Sequence, residues 1–309
     1  MSAADSQMVS LDGGVFTMGS DRHYPEEAPA RRVEVSPFRI DAGPVRNREF
    51  AAFVEATGYM TLAETPPNPA DYPGMDPALA VPASLVFVPT LGPVSLENPL
   101  AWWQLMPGAN WRHPSGPQSD LSGLDDHPVV HIAHADAAAY ADWARKSLPT
   151  EAEWEFAARA GIDGADYAWG DELEPAGVPQ ANYWRGDFPW RRPGNPAAHL
   201  TSTVGSYPDN RYGISDLIGN VWEWTSDWWA TRQNAAASSP CCVPKDPRGG
   251  SRDASIDPAE PEFLLPRKVL KGGSHLCAPS YCQRYRPAAR YPQPIDTTTS
   301  HVGFRCVAR

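Results

Sequence analysis

Short alternating runs and a few amphipathic stretches, separated by proline-rich coil, set the pattern of this chain. Val9-Ser10-Leu11 and Val15-Phe16-Thr17-Met18 read as two short strands joined by a turn at Gly13-Gly14. Arg32 to Ile40 alternates Val33, Val35 and Phe38 with polar residues and reads as a further strand. Asn47 to Thr57 places Phe50, Phe53 and Val54 at helical spacing, with Asn47 as its cap and Gly58 as its stop. His134 to Lys146 reads as a second helix, with Asp136 near its start and Ala138, Tyr140, Ala141 and Ala144 making a close-packed face. Thr150 followed by Glu153 is a capping box that opens a third helix, ended by Gly161. Trp222-Glu223-Trp224 alternates as a strand does, and Ser300 to Val307 reads as a terminal strand. Between 62 and 128 prolines and Trp102, Trp103 and Trp111 break the pattern, leaving irregular chain with one strand, Ser84 to Pro89. Residues 162–215 are loop-rich, and 230–262 form a polar insert holding Cys241-Cys242. The expected organisation is a disordered tail at 1–7 and one domain at 8–309.

Composition narrows this. The 34 prolines and 24 glycines argue for coil, while 12 tryptophans argue that the coil is packed. A net charge of −11 excludes a nucleic-acid-binding surface. No apolar run reaches the roughly 18–20 residues of a membrane helix. Met1 to Ser10 lacks the charged and apolar regions of a signal peptide, so the cytoplasm is the expected location. Five cysteines in 309 residues do not make a disulfide scaffold. In a reducing compartment, a close cysteine pair points to metal binding or redox chemistry.

Such a pair stands in Gly272-Gly273-Ser274-His275-Leu276-Cys277-Ala278-Pro279-Ser280-Tyr281-Cys282-Gln283-Arg284-Tyr285-Arg286. Arg284, Arg286 and Arg290 lie close by, and cationic neighbours favour the reactive, metal-binding thiolate. Two thiolates suit a soft monovalent ion, chiefly Cu(I), and leave room for a third sulfur. Spacing alone leaves a structural disulfide and two inert thiols open as well. Cys306 reads as a buried strand residue. His127, His131 and His134 cluster in sequence but lack ordered carboxylate partners for a metal site.

Leu148-Pro149-Thr150-Glu151-Ala152-Glu153-Trp154-Glu155, Gly219-Asn220-Val221-Trp222-Glu223-Trp224, Lys271-Gly272-Gly273-Ser274 and Gly303-Phe304-Arg305 resemble, in order and spacing, the signature series of the sulfatase-modifying-factor domain, from about Met8 to Arg309. The resemblance implies a mixed α+β, coil-rich fold related to C-type lectins. Cys277 to Arg286 resembles the cysteine pair and Arg-Tyr-Arg tail of the formylglycine-generating enzymes, which oxidise the cysteine of a sulfatase Cys-X-Pro-X-Arg motif to Cα-formylglycine. What it implies further is Cu(I) on Cys277 and Cys282, O2 as oxidant, Ca2+ in the fold, an unfolded sulfatase segment as partner, and a monomer. Ser274 is placed to hydrogen-bond near the sulfur or oxygen and Tyr281 to relay a proton, while His301 stands where the family has an active-site asparagine. Asp216, Gly219, Val221 and Glu223 match one family calcium site, through two carboxylates and two main-chain carbonyls. Asn182 and Tyr183 match part of another, but its acidic loop here reads Arg191-Arg192-Pro193-Gly194-Asn195-Pro196-Ala197, so loss of that site or a different ion is expected. A non-catalytic, lectin-like peptide- or glycan-binding module of the same fold is the alternative, and a thiol-disulfide redox protein a third.

Overall fold

The computed structural model describes residues 7–194, 201–231, 243–259 and 264–309. Gly13-Gly14 does turn the chain, but not into a hairpin. β1 (Met8–Leu11) pairs antiparallel with β4 (Phe38–Asp41), whereas β2 (Gly14–Met18) pairs with β3 (Arg31–Val35). Gly13 is needed at the crossing from one sheet to the other: its φ is +72°, and a Cβ would lie 2.2 Å from the Val35 carbonyl oxygen. The run read as one strand from Arg32 to Ile40 divides between β3 and β4 at Ser36-Pro37, because Pro37 has no N–H with which to continue a ladder.

β5 (Ala83–Phe87) pairs with β6 (Trp103–Pro107) across the long irregular region. β6 was not legible, because its alternation is short and starts in a tryptophan pair. The central sheet has the order β10 (Val302–Gly303), β7 (Trp222–Trp228), β8 (Arg267–Lys271), β9 (Arg290–Pro294), with β10 parallel to β7 and the other pairs antiparallel. The terminal run splits in two: β10 joins this sheet, and β11 (Val307–Ala308) pairs with β4, so both ends of the described chain share one small sheet.

The three helices stand where periodicity put them, with differences at their ends. In α1 (Asn47–Thr57) the N-cap is Arg46, whose N–H donates to the Glu49 carboxylate at 2.8 Å, while Asn47 donates instead to the Leu124 carbonyl. Gly58 closes it in the left-handed conformation. α2 (His134–Trp143) stops short of Lys146, and the Asp136 carboxylate accepts from the Ala133 N–H at 2.9 Å. In α3 (Glu151–Arg159) Thr150 and Glu153 cap each other as expected, but Ala160, not Gly161, takes the left-handed stop. α3 is buried along its whole length, and its carboxylates are tied to cations: Glu151 to Arg290, Glu153 to Arg309 and Glu155 to Lys271, all from distant elements, with Arg159 of the same helix also on Glu155. The main core runs from Phe16 and Phe38 through Phe156 to Phe50, Trp111 and Phe304. A smaller apolar cluster of Phe87, Trp102, Trp184, Phe188, Leu276 and Ala278 lies beside the 274–282 turn. Among the described residues no helix is long and apolar enough to cross a membrane.

Candidate functional site

β8 delivers the chain to Gly272 and Gly273, with φ of +93° and +70°. A Cβ on Gly272 would lie 2.6 Å from the Leu217 carbonyl oxygen, and one on Gly273 2.8 Å from that of Arg284. The glycines therefore let two backbone segments pass where no side chain fits. Cys277 N–H then donates to the Ser274 carbonyl, and Tyr281 and Cys282 N–H both donate to the Ala278 carbonyl. These bonds curl the segment so that Cys282 returns to Cys277. The two sulfurs lie 3.1 Å apart and both are free thiols, well outside the roughly 2.0 Å of a disulfide. Cys277 is buried and Cys282 half-buried.

The two thiols are unlike. Burial, then its hydrogen bond with Cys282, pushes the Cys277 thiol up. Cys282 is pulled down, chiefly by the hydrogen bond from Cys277, with help against burial from the backbone N–H and guanidinium of Arg284. The pair is thus a thiol donating to a thiolate. Among the arginines of the C-terminal segment, Arg284 is the one that acts on Cys282; it is held by Glu26 at 2.6 Å and lies over the Tyr24 ring. Arg286, Arg290 and Arg305 direct their charge to the buried carboxylates of Glu27, Glu151 and Glu223 instead.

Ser274 is fully buried, and its hydroxyl oxygen accepts from the Leu276 N–H at 3.2 Å, bracing the turn. The Tyr281 ring stacks on Phe188 at 4.6 Å and meets Trp102 edge-on. Burial and then the Cys282 charge push its phenol up to about 12, so it keeps its proton at neutral pH. His301 Nδ1 lies 2.6 Å from Thr299 Oγ1, and its ring lies 4.8 Å from that of Trp103. Burial lowers the imidazole to about 3, leaving it neutral. Trp102 and Trp103, adjacent residues of the tryptophan cluster, touch Tyr281 and His301 respectively. No local signal carries that role, which comes from β5–β6 pairing.

Asp216, Gly219 and Val221 lie on the curl that enters β7, with Glu223 inside the strand. Asp216 and Asn220 have φ of +51° and +56°. Asp216 Oδ2 accepts from the Gly205 N–H, while Oδ1 is buried with no hydrogen-bond partner, and burial pushes the carboxyl up to about 6. An orphaned carboxylate oxygen of this kind fits a hard cation. Glu223 is more committed: both its oxygens accept from Arg305, and Oε2 also from Trp154 Nε1. The Asn182 and Tyr183 set fits a cation poorly, since Asn182 Oδ1 already accepts from the Arg192 guanidinium at 2.8 Å. Asn195 lies outside the described residues, as do Cys241 and Cys242. His127, His131 and His134 do not converge: His127 meets Thr201, His131 meets Ser84 and Pro114, and His134 packs on Trp224.

The sulfatase-modifying factor enzyme 1-like domain model matches residues 2–309. The chain belongs to that family. It is 50% identical to a formylglycine-generating enzyme of Mycobacterium tuberculosis, over 98% of each chain. It is also 35% identical to an inactive C-alpha-formylglycine-generating enzyme 2 of Mus musculus, over 99% of this chain and 87% of that one. Among solved structures, PvdO from Pseudomonas aeruginosa superposes with a TM-score of 0.64 at 20% identity, covering 99% of this chain and 96% of that one, a likeness of fold.

Proposed function

We propose that this chain oxidises the cysteine of a Cys-X-Pro-X-Arg segment in an unfolded sulfatase to Cα-formylglycine. The observation that carries this is the unbonded pair, Cys277 and Cys282, 3.1 Å apart in a turn built for them. Its donor set is two soft sulfurs, one favoured as thiolate and half-buried, and so fits Cu(I). Bound there, Cu(I) would supply the activation of O2 that a protein side chain lacks. In the reaction the substrate cysteine loses two hydrogens, one from Cβ and one from the thiol, O2 goes to water with two further electrons from an external thiol, and water replaces the sulfur of the resulting thioaldehyde, which leaves as H2S. Cys282 faces the incoming thiol, and buried Cys277 anchors it. Tyr281, protonated beside Cys282, holds a proton to give; neutral His301 and Ser274 orient the substrate and the turn. Asp216, through its unpartnered oxygen, would hold Ca2+ together with the Gly219 and Val221 carbonyls, with Glu223 shared between the ion and Arg305. A reducing compartment such as the cytoplasm suits a dithiol that must stay unbonded.

The inactive mouse relative, at 35% identity, favours one second reading, a binding module without turnover. Incubation of a Cys-X-Pro-X-Arg peptide with Cu(I)-loaded protein, thiol and air decides between them. Mass spectrometry is expected to find the aldehyde, lost in Cys277→Ser. No aldehyde from the parent protein, or undiminished aldehyde from the variant, overturns the proposal.

A further inference from the structure

The β5–β6 pair has one open edge, and it begins at the dithiol site. Leu85, in the middle of β5, already bonds on its far side to the chain before β10: its N–H donates to the Thr298 carbonyl, and its carbonyl accepts from the Ser300 N–H. β6 pairs with β5 alone. The register is Leu85 opposite Leu105, and the bonds Val88 N–H to Trp102 carbonyl and Gly108 N–H to Pro82 carbonyl mark which pairs exchange hydrogen bonds. Counting by twos, Gln104 and Met106 bond toward β5, so the N–H and C=O groups of Trp103 and Leu105 point outward. Among the described residues no backbone hydrogen bond from outside the strand pair reaches either of them. Leu105 is 49% exposed, and Pro107 ends the edge because it has no N–H to offer.

Two contacts tie this edge to the chemistry. The Trp103 ring meets His301, and the Trp102 ring meets Tyr281, the neighbour of Cys282. An open edge of this kind is a template for another strand. The outermost apolar side chains here, Leu91, Leu100 and Leu105, are exposed, as suits a partner that is itself unfolded.

We infer that the substrate segment is held as a third strand on the outer edge of β6, bonded to the backbone of Trp103 and Leu105. This rests on the activity proposed above and specifies its register. The proline of Cys-X-Pro-X-Arg has no N–H and so faces away from β6. Backbone direction alternates with a period of two, so Cys and Arg face away as well, and the two X residues make the bonds. Cys, Pro and Arg then share one sheet face, that of Trp102 and Gln104, while the X positions tolerate any side chain because the enzyme reads their backbone.

The test is a scan of the peptide with single amide-to-ester replacements, each removing one N–H without added bulk, assayed for aldehyde against the unmodified protein. An ester at either X position is expected to raise KM about five- to tenfold with kcat within twofold; esters at Cys and Arg are expected to leave both within twofold. Leu105→Pro, which removes an outward donor that the β5 ladder does not use, is expected to raise KM similarly, and Leu105→Ala is not. Equal effects at all positions, or none, overturn strand addition, and the ester scan decides alone if Leu105→Pro fails to fold. No conversion of the parent peptide is a different outcome: it overturns the activity and with it the strand.

Discussion

At the scale of single residues, the site depends on an asymmetry between two sulfurs. Arg284 acts on Cys282, and its neighbours do not. Arg284→Gln is therefore expected to move the pH at which Cys282 is half-alkylated upward by about one unit, followed as iodoacetamide reactivity against pH; an unmoved profile contradicts the role given to Arg284. Arg286→Gln is expected to leave that profile alone but to cost about 3–5 kcal/mol in chemical denaturation, because it breaks the buried ion pair with Glu27. The cysteine pair was legible because both sulfurs belong to one short turn with its glycines beside it. The arginine pairings were not, since Glu26, Glu27, Glu151 and Glu223 all lie far away in sequence and only the fold brings them in.

At the scale of elements, the glycine turn and α3 set where the dithiol sits. Gly273→Ala adds a Cβ into the Arg284 backbone at positive φ. It is expected to destabilise by at least about 2 kcal/mol and to lower Cu(I) affinity more than tenfold; native stability and affinity in the variant would contradict this account of the turn. Thr150→Ala removes the α3 cap and is expected to cost about 1 kcal/mol by denaturation, with the active-site thiols unchanged. Helices were legible because caps and period are local: Asp136, Thr150 and Glu153 do what their spacing implies. Strand pairing was not. The Gly13-Gly14 turn suggests a hairpin in sequence, yet β1 and β2 join different sheets, because Pro37 breaks the partner run and frees β4 to pair with β1.

At the scale of the whole molecule, burial of imidazoles links stability to pH. Burial holds His131 and His134 at about 4 and His301 at about 3, all below the unfolded value near 6.5. Their contribution is present above the unfolded value and lost as pH falls through the folded ones, because the unfolded chain takes up protons first. Asp136, raised to about 6 by burial, works the opposite way: its contribution is present below the unfolded value and lost as pH rises through about 6. The histidines are more numerous and more strongly shifted, so the melting temperature is expected to fall between pH 7 and pH 4.5. A flat or rising profile contradicts the neutral burial of these rings. The mixed α+β class was expected from the signature motifs, but the order β10-β7-β8-β9 was not, because it joins segments from across the last third of the chain.

The most direct measurement of the central claim is anaerobic titration of the reduced protein with Cu(I) against a competing chelator. One tightly held ion per chain is expected, with uptake abolished in both Cys277→Ser and Cys282→Ser while the fold is retained. Absence of tight uptake by the parent protein, or uptake that survives in either variant, would contradict it.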